Sequence, residues 1–152
     1  MVRRLSSHRY KMTGDLILIN KLRNWLIPQP NVLVTEETPD IVEGCMIFQM
    51  VEKIRPNMAF IEIAPHNKTD ERKYDHVAGC LIAYAFQRSL IEGRGDYNGI
   101  LFLDVLEEKE EDQKKLMNLY SKKYSAKIYR GTRMVIADNY GHELIKKYLE
   151  PK

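Results

Sequence analysis

The chain has only two cysteines, Cys45 and Cys80, among its 152 residues. Both sit inside apolar runs, where small thiols are commonly buried. Two cysteines exclude a disulfide scaffold, although one bond between them stays open. There is no Cys-x-x-Cys pair. His76 and Cys80 stand four apart and His66 would be a third ligand, but a fourth is missing, so no metal is expected. Neither sign of charge dominates: Lys plus Arg number 24, Asp plus Glu 21, and the net charge is +3. Nucleic-acid-binding modules are usually more lopsided, so no nucleic-acid partner is expected. The basic start (Arg3, Arg4, Arg9, Lys11) reads as a solvated tail. The apolar run at 16–19 is too short for a signal-peptide core or a membrane span. The expectation is a cytoplasmic chain with no membrane association. Internal repeats, low-complexity segments, a Gly-x-Gly-x-x-Gly fingerprint and a Walker-type loop are all missing.

The composition that remains is 44% hydrophobic and 30% charged, enough for a real core. The length predicts a single domain over 1–152. Leu16, Ile19, Leu22 and Leu26 fit a helical stripe over 13–26, with Asp15 as a cap and Pro28 and Pro30 as stops. Residues 32–35 read as a short strand. Strands at 45–53 and 58–64 flank Arg55-Pro56-Asn57, which predicts an antiparallel hairpin. Residues 65–74 are polar and read as a loop. A helix over 76–92 follows, apolar on most faces and so largely buried, with Gly93 and Gly95 stopping it. The continuous apolar run 99–106 has the pattern of a central strand. Strand 58–64, helix 76–92 and strand 99–106 therefore predict a parallel βαβ unit. An acidic segment at 107–112, an amphipathic helix from Lys114, a hairpin around Gly131 and a last helix capped by Asp138 or Asn139 complete the chain.

The junction between strand 58–64 and the buried helix is chemically suggestive. A helix N-terminus offers unpaired backbone N–H groups and a positive dipole end to a phosphate. The first turn carries small Ala78 and Gly79, with Lys73 just upstream. Small residues there serve equally well for tight packing of the helix on its sheet.

Residues 58–66, Met-Ala-Phe-Ile-Glu-Ile-Ala-Pro-His, lead through the polar loop to 73–82, Lys-Tyr-Asp-His-Val-Ala-Gly-Cys-Leu-Ile. This resembles the acetyl-CoA-binding motif of the GNAT superfamily of N-acyltransferases, in which a strand ending near Pro leads to a Gln/Arg-x-x-Gly-x-Gly/Ala turn that opens a long helix. Leu119-Tyr120-Ser121-Lys122-Lys123 resembles the segment whose Tyr protonates the leaving thiolate in that family. The likeness covers roughly 44–149 and leaves 1–43 as the side where an acceptor would be recognised. It implies an α/β (α+β) fold: a central mixed, mostly antiparallel sheet with a parallel βαβ core and flanking helices.

It also implies direct attack of an amine on acetyl-CoA, with no metal. The strand at 58–64 would splay from the strand at 100–106. Main-chain groups of Ile63 and Ala64 would pair with the pantetheine, as an added strand does. Val77, Ala78 and Gly79 would hold the pyrophosphate beside Lys73 and His76. Glu62 shares a strand face with Met58 and Phe60, and burial there would suit it as a general base. An edge Glu paired with Lys or Arg is the plainer reading. Tyr120 is the candidate general acid, or else a core Tyr beside Leu116 and Leu119. The acidic segment is a solvated loop or a lure for a cationic amine. His76 stands where the motif has its first Gly, and Ser125-Ala126 where Gly-Phe is usual. These two departures keep a second function open, a non-catalytic module that binds CoA or a protein partner. The acceptor is a small-molecule or protein amine, and a homodimer stays open.

Overall fold

The computed structural model describes residues 7–11, 16–21, 30–68 and 76–150. Its first strands are β1 (Ser7–Lys11), β2 (Leu16–Lys21), β3 (Pro30–Thr35), β4 (Gly44–Val51) and β5 (Arg55–Ile63). Helix α1 (Val77–Glu92) leads to β6 (Ile100–Asp104) and then to α2 (Glu110–Tyr124). Strands β7 (Lys127–Arg130) and β8 (Arg133–Ala137) precede α3 (Asp138–Tyr148). The strands form one sheet in the order β1-β2-β3-β4-β5-β6-β8-β7. Every neighbouring pair is antiparallel except β5–β6, which is parallel. The fold is therefore mixed α+β, with the expected β5–α1–β6 unit at its centre.

The core lies between one sheet face and the helices. Met46, Met58, Leu101, Leu103, Met134 and Ile136 meet Leu81, Ile82, Ala85 and Phe86 of α1, all buried. Helices α1 and α3 pack through reciprocal glycines. A Cβ at Gly79 would overlap the Tyr148 ring, and a Cβ at Gly141 would overlap the Phe86 ring. Gly44 lets α1 sit close to the sheet, since a Cβ there would meet Val77 Cγ1 at 2.6 Å. Tyr120 and Tyr124 of α2 reach the same core and meet Tyr148 in a row of tilted rings.

Several sequence expectations are corrected. Residues 16–21 are a strand, not part of a helix over 13–26. The stripe of Leu16 and Ile19 fits both periods, and pairing on two sides with β1 and β3 decides for the strand. The remainder of 13–26 lies outside the described residues. Residues 7–11 of the basic start form β1 rather than a solvated tail. Arg55-Pro56-Asn57 belongs to β5, and the hairpin turns one step earlier. Glu52 and Lys53 take φ of 53° and 65°, and Ile54 N–H donates to the Val51 carbonyl at 3.1 Å. Two consecutive positive φ values are the signature of a type I′ turn, here without the Asn-Gly pair that usually announces one. Asp138 does not cap α3; it takes φ of 57° inside the first turn, Ala137 is the N-cap residue, and no side-chain cap bond forms.

Candidate functional site: a cleft where two parallel strands part

Strands β5 and β6 are in register at only two places, Asn57 with Phe102 and Met58 with Leu103. Beyond them β5 runs on to Ile63 while β6 ends at Asp104. The strands thus part like a fork. Asn57 Nδ2 donates to Asp104 Oδ2 at 3.1 Å at the apex, and Arg133 Nε donates to Asp104 Oδ1 at 3.0 Å.

The fork opens into a cleft of about 270 Å³. One wall is Met58, Ala59, Phe60, Ile61 and Glu62; the other runs from Leu103 to Glu107, and Leu116 and Tyr120 of α2 close it. The two proposed catalytic residues, Glu62 and Tyr120, therefore line one cavity. They approach it from different sides. Tyr120 is buried with the core under the helices, at 6% exposure. Glu62 stands on the opposite, open face of the sheet.

A bulge produces that arrangement. Met58 pairs with Phe48 but Phe60 pairs with Ile47, so β5 carries one extra residue, Ala59. One extra residue reverses the alternation of faces. Met58 is buried at 3% exposure, whereas Phe60 is 47% exposed. The expected shared face of Met58, Phe60 and Glu62 is broken at this point. Glu62 is half exposed and forms a 2.9 Å ion pair with Lys68 Nζ, as the plainer reading of an edge Glu has it.

Tyr120 has a different environment. Burial, and secondarily the Glu107 carboxylate, pushes its hydroxyl up to about 12. The hydroxyl is therefore fully protonated at neutral pH. Tyr124 is pushed up as well, by burial first and then by Tyr148, Tyr120 and Cys80.

The expected cofactor residues fall into three groups. Lys73 lies outside the described residues. His76 is the N-cap residue of α1 and makes no side-chain cap bond, its carbonyl accepting from Cys80 N–H at 3.0 Å. Val77, Ala78 and Gly79 form the first turn, where amides lack partners within the helix. The missing side chain of Gly79 is accounted for by Tyr148, so packing alone explains that residue. Ile63 and Ala64 are not equivalent. Ala64 N–H is already given to the Glu43 carbonyl at 3.0 Å, which removes it from pairing with a ligand. Strand alternation then turns the main chain of Ile61 and Ile63 towards the parting edge.

Below the cleft a buried carboxylate fixes the end of β5. Glu43 Oε2 accepts from Asn67 Nδ2 and is bonded to His66 Nε2, both at 2.6 Å. This ties 65–67 to the start of β4 and brings Lys68 within reach of Glu62. Among the described residues no group of three or more His, Cys, Asp or Glu could hold a metal ion. No helix among them is long and apolar enough to cross a membrane.

Sequence reasoning missed Asn57 and Asp104, the apex of the fork. Asn57 falls in the connection that the sequence predicts at 55–57, and a lone strand Asp carries no signal. Glu107, which faces Tyr120, was visible only as one member of the acidic segment. No protein-family model, curated protein or solved structure matches this chain.

Proposed function

We propose that the cleft between β5 and β6 takes an acyl-CoA thioester, most simply acetyl-CoA, and that the protein transfers the acyl group to an amine in the manner of a GNAT-like N-acyltransferase. The observation that carries this reading is the short parallel ladder that opens into a cleft lined by both Glu62 and Tyr120. The main chain of Ile61 and Ile63 faces the parting edge and suits an extended, amide-containing pantetheine arm. The first-turn amides of α1 suit a pyrophosphate. The bulge at Ala59 takes one amide out of the ladder in the cleft wall, which suits an oxyanion donor.

In this reading the amine approaches from the open face, where Glu62 accepts its proton, directly or through a water. The amine nitrogen bonds to the thioester carbon, and the carbon–sulfur bond then breaks. The sulfur takes a hydrogen bond, and finally a proton, from the Tyr120 hydroxyl. A hydroxyl held near 12 is a weak acid against an ordinary thiol of about 8.5. Tyr120 therefore acts first as a hydrogen-bond donor to developing negative charge, and solvent restores its proton. Glu107 and the open carboxylates of the acidic segment favour a cationic amine.

A second reading, a binding module without turnover, draws on Gly79 and Glu62. Gly79 is explained by packing, and Glu62 is already paired with Lys68. Thermal unfolding with acetyl-CoA and free CoA, followed by thiol release against a panel of amines, separates the readings. Acyl transfer requires stabilisation by acetyl-CoA, about 2.7 kcal/mol at one hundred times Kd, and thiol release with at least one amine. Stabilisation without thiol release supports the binding module. No stabilisation by either ligand overturns both CoA readings.

A further inference from the structure

The open face of the sheet carries a second cavity, of about 430 Å³, at the other end of β6. Tyr97, Phe102 and Tyr129 form its walls, with Val135 and Ala137 of β8 behind them and Asp96 exposed beside them. It shares no residue with the cleft between β5 and β6. The Tyr97 and Phe102 centroids are 6.1 Å apart with planes at 64°, and those of Phe102 and Tyr129 are 5.1 Å apart at 85°. Both pairs are edge-to-face contacts, so the rings brace one another in place along the cavity wall. Phe102 is fixed, at 4% exposure, while Tyr129 on the edge strand is 60% exposed and leaves the cavity open to solvent.

The electrostatics select the occupant. Among the described residues no Lys or Arg lines the cavity, and Asp96 is its one charged residue. The Arg55 guanidinium lies 5.1 Å from the Phe102 centroid but does not line the cavity, so a cation held there would rest chiefly on Tyr97, Tyr129 and Asp96. Aromatic walls attract a cation through the ring quadrupole. A primary ammonium would bring three N–H donors that these walls poorly satisfy, at a desolvation cost. A fully methylated ammonium brings none. We propose that the cavity formed by Tyr97, Phe102 and Tyr129, with Asp96 beside it, is a binding site for a small quaternary ammonium compound. This site stands independently of acyl transfer.

The test is calorimetric titration of the full chain, at constant ionic strength, with choline and with 3,3-dimethylbutanol, its neutral isostere. Choline is expected to bind about tenfold tighter than the isostere. Asp96→Asn and Tyr129→Leu, both at exposed positions, are each expected to weaken choline several-fold, and Asp96→Asn to leave the isostere unchanged. Equal affinity for the two compounds would reduce the site to an apolar hollow and overturn the proposal. So would no choline binding at tens of millimolar, or choline binding that both variants leave intact.

Discussion

Asn57 Nδ2 donates to Asp104 Oδ2 at 3.1 Å and so closes the apex of the fork between β5 and β6. Asn57 is 2% exposed, and its partner Asp104 is also held by Arg133. This side-chain bond lies where the paired part of the two strands ends. Asn57→Ala is expected to lower stability by about 1.5–3 kcal/mol, the range for a lost hydrogen bond to a charged group. Urea unfolding measures this. A change within error would mean that the apex is held by the main-chain ladder alone.

Gly79 faces the Tyr148 ring with no room for a methyl group. Gly79→Ala is expected to cost about 1–3 kcal/mol through overpacking. Tyr148→Leu in the same chain should recover part of that loss, which a double-mutant cycle reads directly. Simple additivity would show that Gly79 is required for something other than this contact.

Alkaline pH should expose the burial of Tyr120. Its folded-state pKa is raised from 10.0 to about 12, so the folded chain holds a proton that the unfolded chain has lost. The resulting stability is fully present below pH 10 and is lost as pH rises through about 12. Two pKa units set its ceiling at about 3 kcal/mol. Tyr120→Phe should flatten the fall in unfolding free energy across that window. Tyr124, also raised, should leave a residual slope in the variant. An identical alkaline limb in both proteins would contradict the burial of Tyr120.

Glu62 and Lys68 form an exposed ion pair, so Glu62→Gln should change stability by less than about 1 kcal/mol. In the acyl-transfer reading the same substitution should lower the neutral-pH rate and flatten the pH–rate profile. Unchanged rates at every pH would remove Glu62 from the reaction.

The centre of the fold was readable because its signals are redundant. The apolar run containing Leu101, Phe102 and Leu103, and the nearly all-apolar α1, each leave one structural choice, and together they fix the parallel β5–α1–β6 unit. The N-terminal strands were not readable, because Leu16 and Ile19 satisfy two periods and only pairing with β1 and β3 chooses between them. Glu62 and Tyr120 stand out in the sequence, and both line one cleft, from opposite faces of the sheet. What no local pattern carried was the bulge at Ala59. That single extra residue moves Phe60 and Glu62 to the face opposite Met58, and so puts Glu62 in solvent, across the sheet from the buried Tyr120. The Glu52-Lys53 turn escaped for a similar reason, since neither residue type favours positive φ.

The most direct measurement is an NMR titration of the backbone amides with acetyl-CoA. Occupation of the cleft should shift the signals of Ile61 and Ile63 on β5, of Val77, Ala78 and Gly79 at the start of α1, and of Tyr120 on α2, all along one saturation curve. Saturating acetyl-CoA that leaves these six amides unmoved, or shifts only residues away from the fork, would contradict the account.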